Sequence, residues 1–208
     1  MRSLNSGGMT VRPHQHIVAM DLMTDDETRE ALRTSPDAPR LRYQKLAPDV
    51  VLPKRETIGA AGRDVRAYLT GSRVKLTMGD GIVERGPDCS EDTPFIRLLP
   101  GQLAIIPTGF KIAVPAGYEV QVRPRSETSF KKRLVIPNAP DTIDPDYRGE
   151  VGVIVKNDTL LCMNIEHGER IAQFVVARVA DLEDAEVELL DETPRGDSGF
   201  STAPGYAR

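Results

Sequence analysis

The chain has 208 residues, of which 39% are hydrophobic, enough for one buried core with length left over for arms. Its formal charge of -4 exerts no general pull on nucleic acid, so any polyanion has to be met by a local basic cluster. Two cysteines, Cys89 and Cys162, and three scattered histidines, His14, His16 and His167, give no zinc-ligand spacing, and no apolar run approaches the length of a membrane span. The N-terminus has no apolar core of the kind that marks a signal peptide, so the expected setting is a reducing cytoplasm with free thiols.

In chain order, residues 1–45 are polar and mixed, and "DDETREALRT" places acids before arginines as a helix dipole favours, so an N-terminal arm with one short helix is expected. Residues 46–180 change character to short β-branched runs punctuated by Pro, Gly, Asn and Asp. Strands are expected at Leu103–Ile106, Phe110–Val114 and Tyr118–Val122, with turns at Pro100-Gly101, Pro107-Thr108-Gly109 and Pro115-Ala116-Gly117. "GEVGVIVKND" and "ERIAQFVVARV" supply two more. This rhythm predicts an all-β antiparallel barrel or sandwich of jelly-roll type. Residues 79–93 break it and read as a hairpin loop or insertion, and residues 181–208 read as an acidic last strand or linker followed by a mobile tail.

Five stretches carry chemistry. In "AAGRDVRAY", Gly62 permits a close approach and Asp64 opens a strand. "RPRSETSFKK" offers arginine forks and a hydroxyl, Arg125 and Ser126, of the kind that suits phosphate. In "NAPDTIDPDYRGE", Pro145 biases Asp144 toward extended geometry, which suits a general base. Tyr147 offers a flat face for a sugar or base, and Asn138 a donor and an acceptor for a base edge. Gln173 in "HGERIAQFVV" is an amide within an apolar run, either a structural hydrogen bonder or a ligand contact. The tail "RGDSGFSTAP" joins Arg195 to Phe200, Ser201 and Thr202 in a composition that suits a lid ordering on a phosphate chain. Each stretch alone reads equally well as a solvated turn, loop or tail.

Taken in order, "AGRDVRA", "PRS", "TIDPDYRGE", "GERIAQ" and "RGDSGF" resemble the five motifs of the trimeric deoxyuridine triphosphatases, the dUTPases, from about Lys54 to the C-terminus. The resemblance implies Mg²⁺-assisted hydrolysis of dUTP to dUMP and pyrophosphate, which limits uracil in DNA and supplies dUMP for thymidylate synthesis. It implies that Asp144 activates the water attacking the α-phosphorus, that Tyr147 lies under the deoxyribose and that Asn138 meets the uracil edge. Arg125 and Ser126 would hold phosphate oxygens, Gln173 would reach the α-phosphate, and Asp64 would orient an arginine. Arg195, Phe200, Ser201 and Thr202 would close over the site. Mg²⁺ is expected to ride on the triphosphate and water without a protein cage, and a homotrimer with shared sites is expected, without nucleic acid or membrane.

The sequence departs from the family at Glu127, where glycine usually follows the serine, and in the tail, where Ser198 and an Ala-Pro pair replace glycines. Its additions, residues 1–45 and 79–93, resemble those of phage-encoded members. Three alternatives stay open at this point. They are a dCTP deaminase of the same fold, a pyrophosphatase for modified deoxyuridine nucleotides, and a regulatory homologue binding a protein through residues 79–93.

Overall fold

The structure is a computed structural model that describes residues 38–90 and 93–196. The expected N-terminal helix lies outside the described residues. The described chain forms thirteen strands and one short helix, and every strand pairing is antiparallel. The fold is therefore all-β, as the turn chemistry predicts.

The largest sheet has β4 (Gly81–Arg85), β3 (Val74–Met78), β7 (Leu103–Ala113), β11 (Glu150–Asn157) and β9 (Leu134–Val135) in that order, with β1 (Arg42–Lys45) also on β7. A second sheet orders β10 (Asp141–Ile143), β8 (Tyr118–Arg123), β13 (Arg170–Arg178) and β2 (Arg63–Arg66). A third joins β12 (Met163–Glu166), β6 (Thr93–Leu98) and β5 (Asp88–Ser90). Strand β11 shows why these residues make a sheet. Val151, Val153 and Val155 are buried in alternation along it, the period-2 pattern of a strand with one face in the core. Across the core, fully buried Phe110 of β7 meets fully buried Phe174 of β13 edge to face at 6.1 Å, and Tyr43 of β1 meets Phe110 at 5.7 Å.

Three expectations change. Pro107-Thr108-Gly109 is no turn but the middle of the long strand β7. Its local signals serve a bulge against β11, where the register shifts between Glu150 and Gly152. There the Thr108 hydroxyl donates to the Val151 carbonyl at 2.6 Å and the Gly109 N–H to the Glu150 carboxylate at 2.8 Å. Gly109 has φ +74° and lies so close to Tyr68 and Val50 that a Cβ would approach each to 2.7 Å. Second, the span 79–93, read as a hairpin loop or insertion, is mostly strand. Gly79 and Asp80 close a two-residue hairpin between β3 and β4, and β5 pairs with β6. Among the described residues strand β4 is an edge of its sheet and leaves Ile82 exposed beside Met78. Third, the span read as an arm reaches into the core, because β1 pairs β7 from Arg42 onward.

Asn157 ties the sheets together at one end. Its buried side-chain amide donates to the Leu98 and Leu161 carbonyls, and its Oδ1 accepts from the Thr159 backbone and hydroxyl. The acidic stretch after β13 forms no strand or helix as far as Gly196 and is exposed.

Candidate functional site

The second sheet builds one half of the site. Its core-facing row includes Val65, Ala172, Phe174 and Val122, so the residues between them point outward. That outward row is Asp64, Gln173 and Arg123, directly opposite one another across β2, β13 and β8. The stretch expected to be a hydroxyl-rich basic turn is instead the helix α1 (Ser126–Lys132), with Arg125 as its N-cap residue. Ser126 is its exposed first residue.

The carboxylate of Asp64 joins these parts. Its Oδ1 accepts from Arg125 Nε at 2.8 Å and its Oδ2 from Arg170 Nη1 at 3.2 Å. Asp64 and Arg125 keep only 14% and 15% of their side-chain surface, so one shielded carboxylate fixes two guanidinium planes. Arg170 lies inside the quoted "GERIAQ" stretch, yet sequence reasoning gave it no role. The available signal was a cation opening a mainly apolar strand.

Gln173 sits beside this cluster, donating from Nε2 to the Pro124 carbonyl at 2.9 Å. Gly62 packs against its amide so closely that a Cβ there would collide with Oε1 and stand 3.1 Å from Cδ. A cleft of about 440 Å³ opens alongside, between Arg125, Glu127 and Lys131 on one wall and His167, Glu169 and Arg170 on the other. His167 belongs to the framework, its Nδ1 accepting from the Leu69 N–H at 3.0 Å. Glu127 forms an ion pair with Lys131 at 2.9 Å. That hydrogen-bonded pairing, with Arg125 and Arg170 behind it, holds the Glu127 carboxyl below the ordinary carboxylate range.

The other half is the segment from Asn138 to Glu150. Asn138 and Asp144 are exposed, and Asp144 directly follows β10. Tyr147 is 44% exposed and rigidly held. Its hydroxyl donates to the Glu150 carbonyl at 2.8 Å, and its ring lies over Gly149, where a Cβ would come within 2.7 Å of Cζ. The ring borders a hollow of about 300 Å³ shared with Asp141, Lys75, Ile105 and Gly152, residues that the sequence gave no reason to single out.

Within one chain Asp144 and Arg125 lie toward opposite ends of β8. Ile143 pairs with Val120, which sets Asp144 toward Glu119, while Arg125 lies beyond the opposite end of β8. At about 3.4 Å per extended residue, Glu119 and Arg125 are separated by roughly 20 Å. Among the described residues no hydrogen bond joins Asn138, Asp144 or Tyr147 to Asp64, Arg125 or Gln173. Arg195 lies on the turn Thr193–Gly196. Phe200, Ser201 and Thr202 lie outside the described residues. No three His, Cys, Asp or Glu side chains converge as a metal site among the described residues.

The described chain is thus an antiparallel all-β protein with two carboxylate-oriented arginines beside an open cleft, an arrangement whose donors suit an anion. The family profile that matches, over residues 90–203, is that of dUTPase. The deoxyuridine 5'-triphosphate nucleotidohydrolase of Fusobacterium nucleatum is 43% identical over 151 residues, covering 73% of this chain and 88% of that one. The one from Desulfotalea psychrophila is 44% identical over 149 residues, covering 72% and 84%. In fold, the chain matches the Staphylococcus bacteriophage 80alpha dUTPase with dUPNHPP at TM-score 0.60 and 25% identity, over 77% of this chain and 96% of that one. A variant of the phage phi11 dUTPase, described with a structural Mg(II) ion, matches at TM-score 0.57 and 21% identity, over 74% and 99%. The chain belongs to the dUTPase family.

Proposed function

We propose that this chain hydrolyses dUTP to dUMP and pyrophosphate. The observation that carries the reading is the Asp64 carboxylate holding Arg125 and Arg170 beside Gln173, in a chain of this family. With one fork edge of each arginine committed to Asp64, the remaining donors are oriented toward the cleft before any ligand arrives, which lowers the ordering cost of binding a phosphate chain.

In this reading Arg125, Ser126 and Gln173 hold phosphate oxygens, and Tyr147 and Asn138 hold the sugar and the uracil edge. Asp144 takes a proton from water as the water oxygen bonds to the α-phosphorus. The bond from that phosphorus to the bridging oxygen breaks, and the electron pair leaves with pyrophosphate. Arg195 with Phe200, Ser201 and Thr202 closes the site. Mg²⁺ would be held by the triphosphate and water, where it neutralises phosphate charge, in keeping with its reluctance to dehydrate. The separation of Asp144 from Arg125 supports a site completed by a second copy of the chain, and the expected assembly is a homotrimer acting on the cytoplasmic nucleotide pool.

Pyrophosphate release from dUTP, dCTP, dTTP and UTP, with Mg²⁺ and with chelator, tests the reaction. Turnover is expected for dUTP alone, and Asp144→Asn is expected to lower it by about 10²–10⁴-fold. Ammonia release from dCTP, or equal turnover of dTTP, would sink the reading.

A further inference from the structure

The two arginines at the cleft each keep Nη2 free of a hydrogen bond, and both of those nitrogens face the same carboxylate. Arg125 spends Nε on Asp64 and sets Nη1 3.5 Å from the Thr128 hydroxyl, and its Nη2 is 3.9 Å from Glu127 Oε2. Arg170 spends Nη1 on Asp64, and its Nη2 is 3.8 Å from the same Oε2. Both separations allow attraction but exceed a hydrogen bond. The firm partner of Glu127 is Lys131, one helical turn on, at 2.9 Å to Oε1. The carboxylate is therefore anchored on Lys131 with one oxygen and leans on the free arginine donors with the other. Half of its side-chain surface remains exposed, so a change of rotamer can carry it toward or away from them.

The geometry points to Glu127 as an internal counter-ion of the phosphate site. It competes with a polyphosphate for Arg125 and Arg170, weakens its binding and hastens the departure of pyrophosphate. This rests on reading the two arginines as phosphate ligands in the proposed hydrolysis. A ligand phosphate placed on the free nitrogens meets a carboxylate already within ion-pair distance of both, so binding either displaces Glu127 or tolerates the repulsion. Lys131 offers a place for the displaced carboxylate, which makes the competition reversible instead of blocking the site. A neutral isostere at position 127 keeps the volume and removes the competition.

The test is calorimetric titration of the full-length protein with inorganic tripolyphosphate at low and high salt. The chains compared are the parent, Glu127→Gln, and Asp88→Asn, which changes net charge equally on a surface ion pair of β4 and β5. Glu127→Gln is expected to bind about 3–10-fold tighter at low salt, with the gap closing near 1 M salt as screening shortens to about 3 Å, and Asp88→Asn to match the parent. In turnover, Glu127→Gln should lower KM and become more sensitive to inhibition by pyrophosphate. Equal or weaker binding by Glu127→Gln would overturn the inference, as would the absence of tripolyphosphate binding in every chain. Measured beside these, dUTP turnover separates the two ideas. Turnover intact with no affinity gain rejects the counter-ion alone, while an affinity gain without turnover rejects the hydrolysis alone.

Discussion

Gly62 and Gln173 are the clearest case of one residue existing for the sake of another. The backbone at Gly62 presses on the Gln173 amide, which is itself held by the Pro124 carbonyl. No left-handed φ demands glycine there, so the constraint is space alone. Gly62→Ala should leave folding largely intact and displace the amide, since a side-chain tip yields more easily than backbone. Turnover of dUTP is expected to fall about 10–100-fold, with the melting temperature close to that of the parent. A large drop in melting temperature with unchanged kcat would show that the contact is structural. Gly62, Asp64 and Gln173 could be singled out in the sequence because each is an odd residue in its setting. The partnership of Asp64 with Arg170 could not, because only the register of β13 against β2 places them together.

At the scale of elements, helix α1 is where sequence and structure part most. In the seven residues of "SETSFKK" three Ser and Thr offset the helix-favouring Glu and Lys, and Phe130 is left exposed, so no apolar stripe announces a helix. What makes it is tertiary. Thr128 is buried and its hydroxyl donates to the Arg170 carbonyl at 3.2 Å, while the Glu127–Lys131 pair spans one turn outside. The helix stops at Arg133, whose left-handed φ of 51° and ψ of 33° let its N–H reach the Thr128 carbonyl. Glycine holds that conformation without the steric cost that a Cβ incurs. Arg133→Gly is therefore expected to stabilise the fold by roughly 0.5–1 kcal/mol, after the greater freedom of glycine in the unfolded chain is deducted. Chemical denaturation checks this, and a destabilised variant would mean that the arginine side chain contributes more than its backbone costs. The bulge in β7 was hidden for a related reason. Proline, threonine and glycine in succession signal a turn locally, and only the partner strand β11 shows that they are kept for a kink inside a continuous strand.

At the scale of the molecule, the all-β class and the five motifs were legible because turn residues and side-chain chemistry are local properties. Shared sites were expected only from the family resemblance; the separation of Asp144 from Arg125 along β8 depends on strand register, which local sequence does not reveal. That separation gives a test of assembly. Asp144→Asn and Arg125→Gln, each inactive alone, should regain about a quarter of the parental activity when unfolded together and refolded as an equal mixture, because in a closed symmetric assembly a site can draw its intact halves from different chains. No recovery from a mixture that refolds fully would mean that each chain completes its own site.

The free edge at β4 has a consequence for keeping the protein in solution. An unpaired strand bearing an exposed isoleucine is a template on which another strand can add, and natural sheets blunt such edges by brevity and charge. Here β4 is five residues long, and its Glu84 and Arg85 form ion pairs with Lys75, Arg73 and Asp88. Those charges act as gatekeepers against edge-to-edge stacking. Concentrated salt that screens them is expected to make this guarded rim more adhesive, so a hairpin outside the five motifs bears on how well the protein stays in solution.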